Sequence, residues 1–342
     1  MVAPLLASSE IQYEYETVLE AKLYHNGTID RSDHDQIYPT APANTDKAIQ
    51  GALSRDVVID SSTGIWVRLY VPERALAASE GKADRLPIIL YYHGGGFVLF
   101  SAASADTHEY CCNIAARLGA MVVSVEYRLA PEHKLPVAFE DGLSALKWLQ
   151  AQGSDEQDSG PKDPWLSAHG DFAKCFIMGH SAGATIVHQT VLNAAIDGFD
   201  PLKIRGLILG VPFFGGIERT SSEIEYGETD FLTLQMTDAF WGASLPDGAD
   251  RSHPYCTFHS SEMQALLNRI ELPPSLVIVG ALDPLYDRQI EYVDFLQKAG
   301  NDVSLLEYPH YGHHILYPEV LRQEDVEEAF LSMQQFLAKR FN

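Results

Sequence analysis

The sequence is poor in positive charge. Its 342 residues carry 24 Lys and Arg against 47 Asp and Glu, which gives a formal net charge of −23 at pH 7. Such a surplus of negative charge repels the phosphate backbone of nucleic acids and the anionic surface of membranes. We therefore expect neither a nucleic-acid partner nor a membrane partner.

Long apolar runs are missing as well. No stretch approaches the 18 apolar residues that a membrane-spanning helix needs. Residues 1–9 are mildly apolar but lack the basic start and the extended apolar core of a secretory signal. From these absences we predict a cytoplasmic protein.

Cysteine is scarce, and its spacing fits neither disulfides nor a metal site. The four cysteines are Cys111, Cys112, Cys175 and Cys256, which favours reduced thiols with a packing role. The first 50 residues contain no Gly-rich phosphate loop, so this N-terminal arm is expected to act as a cover and not as a cofactor domain.

From Pro87 onward, buried strands alternate with helices, which is typical of a parallel sheet covered on both faces. A hairpin at 56–70 brings the number of predicted strands to eight. The other predicted strands are 88–92, 121–127, 174–178, 204–209, 276–279 and 303–308. Among the predicted helices, 104–118 ends at Gly119, and the last, at about 324–339, carries one apolar face.

The predicted organisation is an N-terminal cap arm over residues 1–50, followed by a catalytic domain over 51–342. The arm includes a predicted helix near 11–20. Within the domain, 212–263 is too long for an ordinary connection and is rich in aromatic residues, so we predict a cap insertion that lines a pocket.

One apolar run, 174–178, breaks at Gly179-His180-Ser181-Ala182-Gly183 and then resumes with helical character. This Gly-x-Ser-x-Gly pattern predicts a strand, a sharp turn and a helix, with the Ser181 hydroxyl held out above the sheet and with no room for a side chain at either glycine. The pattern alone is weak, because a Gly/Ser turn before a buried helix would look the same.

A second signal is the Gly-rich loop that begins at His93 and directly follows the predicted strand 88–92. Without Cβ atoms, the backbone N–H groups of such a loop can approach a developing oxyanion. With the N–H of Ala182, this loop predicts a three-donor oxyanion hole.

Two further signals also follow predicted strands. Asp283 comes directly after 276–279, and a His cluster follows 303–308. Ligand sites of open α/β sheets lie at this carboxyl edge, so a carboxylate there can orient a histidine that serves Ser181 as base. Asp283 is preferred over Asp287, and His313 over His314.

The order Ser181, Asp283, His313 is the order of the α/β-hydrolase fold. Longer stretches carry a more specific resemblance, to the plant carboxylesterases of the hormone-sensitive-lipase-like branch. The matching stretches are 93–97, 124–133, 163–166, the turn at 179–183, 212–216 with 218–220, and 283–285. The chain differs from the usual family pattern at His180, at Ala184 and in the loop His313-His314-Ile315.

This resemblance implies an α/β-hydrolase with a mostly parallel eight-stranded sheet, and a serine esterase without cofactor or metal. Gly95, Gly96 and Ala182 would then supply the oxyanion donors. The residues expected to line the substrate pocket are Phe97, Phe213, Phe214, Phe240, Trp241 and His314.

The leading functional prediction is hydrolysis of small carboxylic esters through an acyl-enzyme, by a monomer or homodimer. Two alternatives remain at this point. One is a lyase or cyclase of specialised metabolism on the same fold, because the reaction depends on the substrate that the cap admits. The other is a non-catalytic hormone receptor, against which the available histidine argues.

Overall fold

The computed structural model describes residues 15–24, 27–76, 85–155, 160–228, 231–315 and 322–341. The strands are β1 (Tyr15–Val18), β2 (Ala21–Tyr24), β3 (Ile29–Asp30), β4 (Ala52–Asp60), β5 (Ile65–Pro72), β6 (Leu86–Tyr92), β7 (Met121–Glu126), β8 (Gly170–His180), β9 (Ile204–Gly210), β10 (Ser275–Gly280) and β11 (Val303–Tyr308). The helices are α1 (Ser32–Ile37), α2 (Glu73–Leu76), α3 (Ala105–Leu118), α4 (Val137–Gly153), α5 (Pro164–His169), α6 (Ala182–Asp197), α7 (Ser221–Tyr226), α8 (Leu234–Ser244), α9 (Ser261–Leu267), α10 (Tyr286–Lys298) and α11 (Gln323–Ala338).

The main sheet has eight strands in the order β11-β10-β9-β8-β6-β7-β5-β4. The strands from β11 to β7 pair in parallel, and the hairpin of β4 and β5 joins β7 in antiparallel fashion. The predicted mostly parallel eight-stranded sheet is confirmed, with the hairpin at its edge.

Burial along the strands follows from their position in the sheet. Every residue of β10 is buried, whereas the edge strand β4 alternates between buried and partly exposed residues over its first half. In β6, Ile88 and Leu90 belong to one apolar core, and Ile89 belongs to a second core on the opposite face. Both faces of the sheet are therefore covered, which is why its central strands are almost continuously apolar.

The end of α3 and the buried face of α11 both agree with the local pattern of the sequence. Gly119 takes a left-handed conformation (φ 65°, ψ 44°) directly after α3, where a residue with a Cβ would be strained. In α11, the predicted apolar face is buried along its whole length. Its members are Val326, Ala329, Phe330, Met333, Phe336 and Leu337.

In the N-terminal arm, the prediction of a helix near 11–20 is wrong for the described part, and residues 11–14 lie outside it. Residues 15–24 form the β1–β2 hairpin, which pairs with β3 in a separate small sheet. Helical propensity is a weak prior, and here strand pairing overrides it. Arg31 binds the arm to the main body: it donates to both carboxylate oxygens of Glu132 and to the carbonyl oxygens of Val98 and Ala130.

The segment 212–263, here called the inserted segment, contains α7, α8 and the start of α9. Its polar residues begin these helices: the side chains of Thr220, Thr233 and Ser260 each accept a hydrogen bond from a backbone N–H of the first turn. One end of this segment faces the arm, because β1 lies beside α8.

Across the described parts of the chain, none of the helices combines the length and the apolar character required to cross a bilayer.

Candidate active site

Ser181 sits at the junction of β8 and α6 with a strained backbone (φ 55°, ψ −121°). The two neighbouring glycines make this turn sterically feasible. A Cβ on Gly179 would overlap the backbone of Gly183, and a Cβ on Gly183 would overlap the carbonyl oxygen of Tyr92 at the end of β6. The predicted strand, turn and helix are thus present, and both glycines are required by close backbone packing.

Asp283 follows β10 and is completely buried, with an exposed fraction of 0%. Its Oδ1 accepts the N–H of Leu285 at 2.8 Å, which fixes the tight turn before α10. At Gly280 the backbone passes so close to the loop after β11 that a Cβ would overlap the carbonyl oxygen of Tyr311. This close passage brings the loop that carries His313 beside Asp283.

The structure brings Ser181, His313 and Asp283 into one hydrogen-bonded series. The Oγ of Ser181 lies 2.8 Å from Nε2 of His313, and Nδ1 of His313 lies 2.7 Å from Oδ2 of Asp283. Ser181 and His313 are each 5% exposed. Since Asp283 can only accept, Nδ1–H donates to it, and Nε2 of the neutral imidazole is left free to accept the Ser181 proton.

The rival residues lie elsewhere. His314 packs its ring against Phe231 at 6.0 Å between centroids, and His310 is exposed. Asp287, in the first turn of α10, accepts the backbone N–H of Ser222 at 2.9 Å and so connects α10 to α7. Of the residues weighed for base and acid, only His313 and Asp283 take part in the series.

The Gly-rich loop after β6 lies against Ser181. Gly95 and Gly96 have φ values of 105° and 62°, and a Cβ on either would overlap Leu99 or the Phe240 ring respectively. Both glycines line the same cavity as Ser181. Within the described residues, the N–H groups of Gly95, Gly96 and Ala182 donate to no protein acceptor, so they are available to a ligand.

Two aromatic rings support this loop from behind. Tyr127, just after β7, donates its hydroxyl to the carbonyl oxygen of His93 at 2.8 Å, and the two rings stack at 4.3 Å. Burial lowers the pKa of His93 to about 4, so its ring is neutral at physiological pH. The Gly-rich loop is therefore held by an uncharged pair of stacked rings.

His180, which departs from the usual family pattern, is next to the nucleophile in sequence. Its ring lies 6.3 Å from that of His313 and lines the cavity, and no hydrogen bond to the Ser181 hydroxyl is present. Burial, followed by the nearby His313, lowers the pKa of His180 to about 3. A neutral ring therefore stands beside the catalytic candidates.

Comparison with known proteins agrees with this geometry. A family model described as alpha/beta hydrolase fold matches residues 89–317. Carboxylesterase 20 of Arabidopsis thaliana is 36% identical over 88% of this chain and 90% of its own length. The chain belongs to the plant carboxylesterases of the α/β-hydrolase family. The resemblance inferred from the sequence is thereby confirmed.

Comparisons with a receptor and with a solved esterase structure give two further similarities. A gibberellin receptor of Oryza sativa subsp. japonica is 34% identical over 89% of this chain and 86% of its own. An esterase structure from Pyrobaculum calidifontis is similar with a TM-score of 0.67 and 28% identity, over 86% of each chain. The family thus includes at least one relative named as a receptor, and the fold is shared with an archaeal esterase.

In this carboxylesterase a narrow, mainly apolar cavity lies over Ser181. Among the predicted pocket residues, Phe213 and Phe240 line it. The full lining is Leu19, Gly95, Gly96, Phe100, His180, Ser181, Phe213, Phe231, Leu232, Phe240 and His313. Leu19 reaches it from the β1–β2 turn of the arm, where its φ is 44°.

The other four predicted pocket residues do not line this cavity. Trp241 stacks flat against the far side of Phe213 (4.8 Å, 11°), and Phe97 contacts both rings. Phe214 points toward the core around Tyr292, and His314 lies against Phe231. Adjacent residues such as Phe213 and Phe214 face opposite directions, which composition alone does not reveal.

Sequence reasoning missed three residues of the site. Tyr127 follows a buried strand adjacent to β6, and this position could have suggested a role at the same edge. Leu19 gave no signal, because its position depends on the β1–β2 turn. Gln289, whose amide donates to Oδ2 of Asp283 at 2.7 Å, lies six residues after the acid without any recognisable motif.

Proposed function

We propose that Ser181, His313 and Asp283 carry out ester hydrolysis in this carboxylesterase, as nucleophile, general base and orienting acid. The observation that supports the proposal is the continuous series from the Ser181 hydroxyl through the His313 ring to the Asp283 carboxylate, with contacts of 2.8 and 2.7 Å. A serine hydroxyl becomes an effective nucleophile only when an adjacent base takes its proton.

The reaction then follows from proton positions. Neutral His313 takes the Ser181 proton at Nε2 as Oγ attacks the acyl carbon, and Asp283 stabilises the imidazolium. His313 next returns that proton to the departing alkoxide, which leaves the acyl group on Ser181. Water attacks the acyl-enzyme with His313 again as base, and the carboxylic acid departs.

The N–H groups of Gly95, Gly96 and Ala182 are proposed to bind the oxyanion of each tetrahedral intermediate. They come from a loop and a helix start whose backbone positions are fixed by tight packing, so little reorganisation is needed when charge develops. Ala182 is also the first residue of α6, where the helix dipole favours negative charge.

We propose that residues 1–50 and the inserted segment together form the cap over this site, on a catalytic domain over 51–342. Leu19 of the arm and Phe231, Leu232 and Phe240 of the inserted segment line the cavity from above. The cavity is apolar and narrow, which favours small esters with an apolar part as substrates.

The alternatives differ in what they demand from these residues. A receptor needs the cavity but no base, and here the base lies at hydrogen-bonding distance from the nucleophile, which supports catalysis. A lyase or cyclase would use His313 without forming an acyl-enzyme. Formation of a covalent acyl-enzyme on Ser181 therefore distinguishes the esterase from both alternatives.

The test is hydrolysis of p-nitrophenyl acetate by the wild type and by Ser181→Ala, His313→Ala and His310→Ala. The proposal predicts a loss of roughly 10³-fold or more in kcat for the first two variants, because the members of such a triad act as a unit. His310→Ala is the matched control, because His310 is exposed in the same loop, and it should retain full activity.

A fluorophosphonate probe completes the test. Labelling of Ser181 together with turnover supports the esterase, labelling with negligible turnover favours the lyase or cyclase, and neither favours the receptor. Full activity of Ser181→Ala would refute the proposed nucleophile.

The remaining predictions concern the cellular compartment, the oligomeric state and the class of partner. We propose a cytoplasmic protein, monomeric or homodimeric, that acts on small molecules and not on nucleic acid. Its four cysteines are free and buried, which fits a reducing compartment, and its net charge of −23 disfavours phosphate backbones.

A further inference from the structure

The surroundings of Asp283 differ from those of an ordinary buried carboxylate. Asp283 is 0% exposed, and no Lys or Arg in the described parts of the chain forms an ion pair with it. Its hydrogen-bond donors include the backbone N–H of Leu285 on Oδ1, and Nδ1 of His313 and Nε2 of Gln289, both at 2.7 Å, on Oδ2. A buried charge without a cation depends on such donors.

Gln289 is the only side-chain amide in this set, and it is itself 0% exposed. Its Nε2 serves Asp283, whereas its Oε1 accepts no hydrogen bond from the described residues. An apolar side chain of the same size would remove the unpaired Oε1, but it would also take a hydrogen bond from the buried Asp283 carboxylate, so the two effects on stability oppose each other. Among the described residues, the partner of the Gln289 amide is thus the same carboxylate oxygen that binds the His313 ring.

We infer that Gln289 is a positioning residue for the catalytic acid, holding Oδ2 of Asp283 toward Nδ1 of His313. Leu285 binds one carboxylate oxygen and Gln289 the other, so these two donors together define the plane of the carboxylate that faces His313. This inference rests on the proposed function, because Gln289 acts only through Asp283 and His313.

Because Gln289 and His313 share one oxygen, removal of the amide has two separate effects. The carboxylate can rotate, so fewer molecules hold the imidazole in the productive orientation and kcat falls. At the same time Oδ2 loses a competing donor and stabilises the imidazolium more strongly, so the acid limb of the pH–rate profile moves to higher pH. The other titratable ring facing His313, that of His180, stays neutral throughout, because burial lowers its pKa to about 3.

The test compares Gln289→Leu with Gln297→Leu in p-nitrophenyl acetate hydrolysis. Gln297 lies on the same helix, is exposed, and donates to the carbonyl oxygen of Val303, so it controls for loss of an amide from α10. For Gln289→Leu we expect kcat to fall roughly tenfold, KM to stay within about twofold, and the acid limb to move to higher pH. Gln297→Leu should match the wild type in kcat and in the acid limb.

A second variant, Gln289→Glu, puts a carboxylate 2.7 Å from Asp283 in place of the amide. Two such carboxylates share one proton at low pH, and that proton can replace the amide donor. Activity should therefore remain only in the pH range where His313 is neutral and the shared proton is still bound, and it should fall at higher pH as that proton is lost. Gln289→Leu has no shared proton to lose and should show no such fall at higher pH.

The outcomes separate the two claims. Unchanged kcat and an unshifted acid limb in Gln289→Leu would overturn the inference alone. So would a fall in kcat that comes with a raised KM and an unshifted acid limb, because that is the signature of a packing role. Absence of Ser181-dependent turnover in the wild type would refute the proposed function, and the inference with it.

Discussion

The carboxyl edge of the main sheet and the cover above it are built in different ways. At the edge, Ser181, Asp283 and His313 each follow a strand of the main sheet, and glycines at 179, 183 and 280 allow backbones to touch. The cover consists of the arm and the inserted segment, which add short helices and a small separate sheet. Positions at the edge are dictated by the sheet, whereas positions in the cover depend on side-chain packing.

Because of this difference, we expect the edge of the sheet to determine the chemistry and the cover to determine the substrate specificity. Backbone groups packed against backbone cannot shift without breaking the fold, so the edge is suited to atoms that must be held within a fraction of an ångström. Aromatic side chains such as Phe231, which is 37% exposed, can adjust or be replaced. We therefore expect substitutions at the edge to lower kcat steeply and those in the cover to change KM modestly.

The largest effect is expected at the acid. Asp283→Asn removes the acceptor that selects the His313 tautomer, and kcat should fall about 10⁴-fold. Asp287→Asn is the matched control, because Asp287 is one helical turn away and accepts a backbone N–H of α7. Comparable losses in the two variants would contradict the assignment of Asp283.

A contact between the edge and the cover gives the next effect. In Gly96→Ala the new Cβ overlaps the Phe240 ring and displaces a proposed oxyanion donor, so kcat should fall about 10²-fold. Gly64→Ala controls for backbone strain alone, because Gly64 also has a positive φ (80°) but has open space around it. If both substitutions were equally harmless to kcat, Gly96 would not belong to the oxyanion hole.

Acid should weaken the junction between α6 and the inserted segment. His188 of α6 contacts Phe214 and accepts from or donates to the hydroxyl of Tyr292 at 2.9 Å, and burial lowers its pKa from 6.5 to about 4. The unfolded chain then binds more protons than the folded one between these values, so the stability from neutral His188 is complete above pH 6.5 and is lost as the pH falls toward 4.

The measurement is chemical denaturation of the wild type and His188→Gln at pH 7 and pH 5. Gln can keep the bond to Tyr292 but does not titrate, so the variant should lose about 2 kcal/mol less on acidification. Parallel losses in the two proteins would show that His188 is not responsible.

The smallest effect is expected in the arm. Leu19→Ala enlarges the cavity without touching the edge, so kcat for p-nitrophenyl esters should stay within about twofold, whereas KM should change about fivefold as half-buried apolar contact is lost. Leu331→Ala, on the exposed side of α11, is the control for loss of a leucine. A large fall in kcat for Leu19→Ala would mean that the cover takes part in the chemistry.

The sequence was most informative where backbone rules decide the structure. Strands β6 to β11, the stop at Gly119 and the turn at Ser181 could be predicted, because buried strands, left-handed glycines and close backbone contacts leave characteristic residues. The strand at 15–18 was mistaken for helix, because its pairing with β2 depends on a partner that propensity does not show. Contact with the site from Gln289 is equally invisible, since it depends on how α10 lies beside the turn at Asp283.

Within the pocket, the direction of each side chain likewise depends on tertiary packing and could not be predicted from the sequence. Phe213 lines the cavity and Phe214 faces the core, although both come from one aromatic run after β9. Composition predicts that such a segment is apolar, and only the packing around Trp241 and Tyr292 decides which ring faces the cavity.

The central claim is that three side chains far apart in the sequence act together on an ester at one edge of the sheet. It is tested most directly by mixing the wild type with p-nitrophenyl acetate, quenching within a turnover and locating the acetyl group by peptide mass spectrometry. The account predicts a single acetyl group on Ser181 in the wild type and none on Ser181 in His313→Ala. Turnover without acetylation of Ser181, or equal acetylation in His313→Ala, would contradict it.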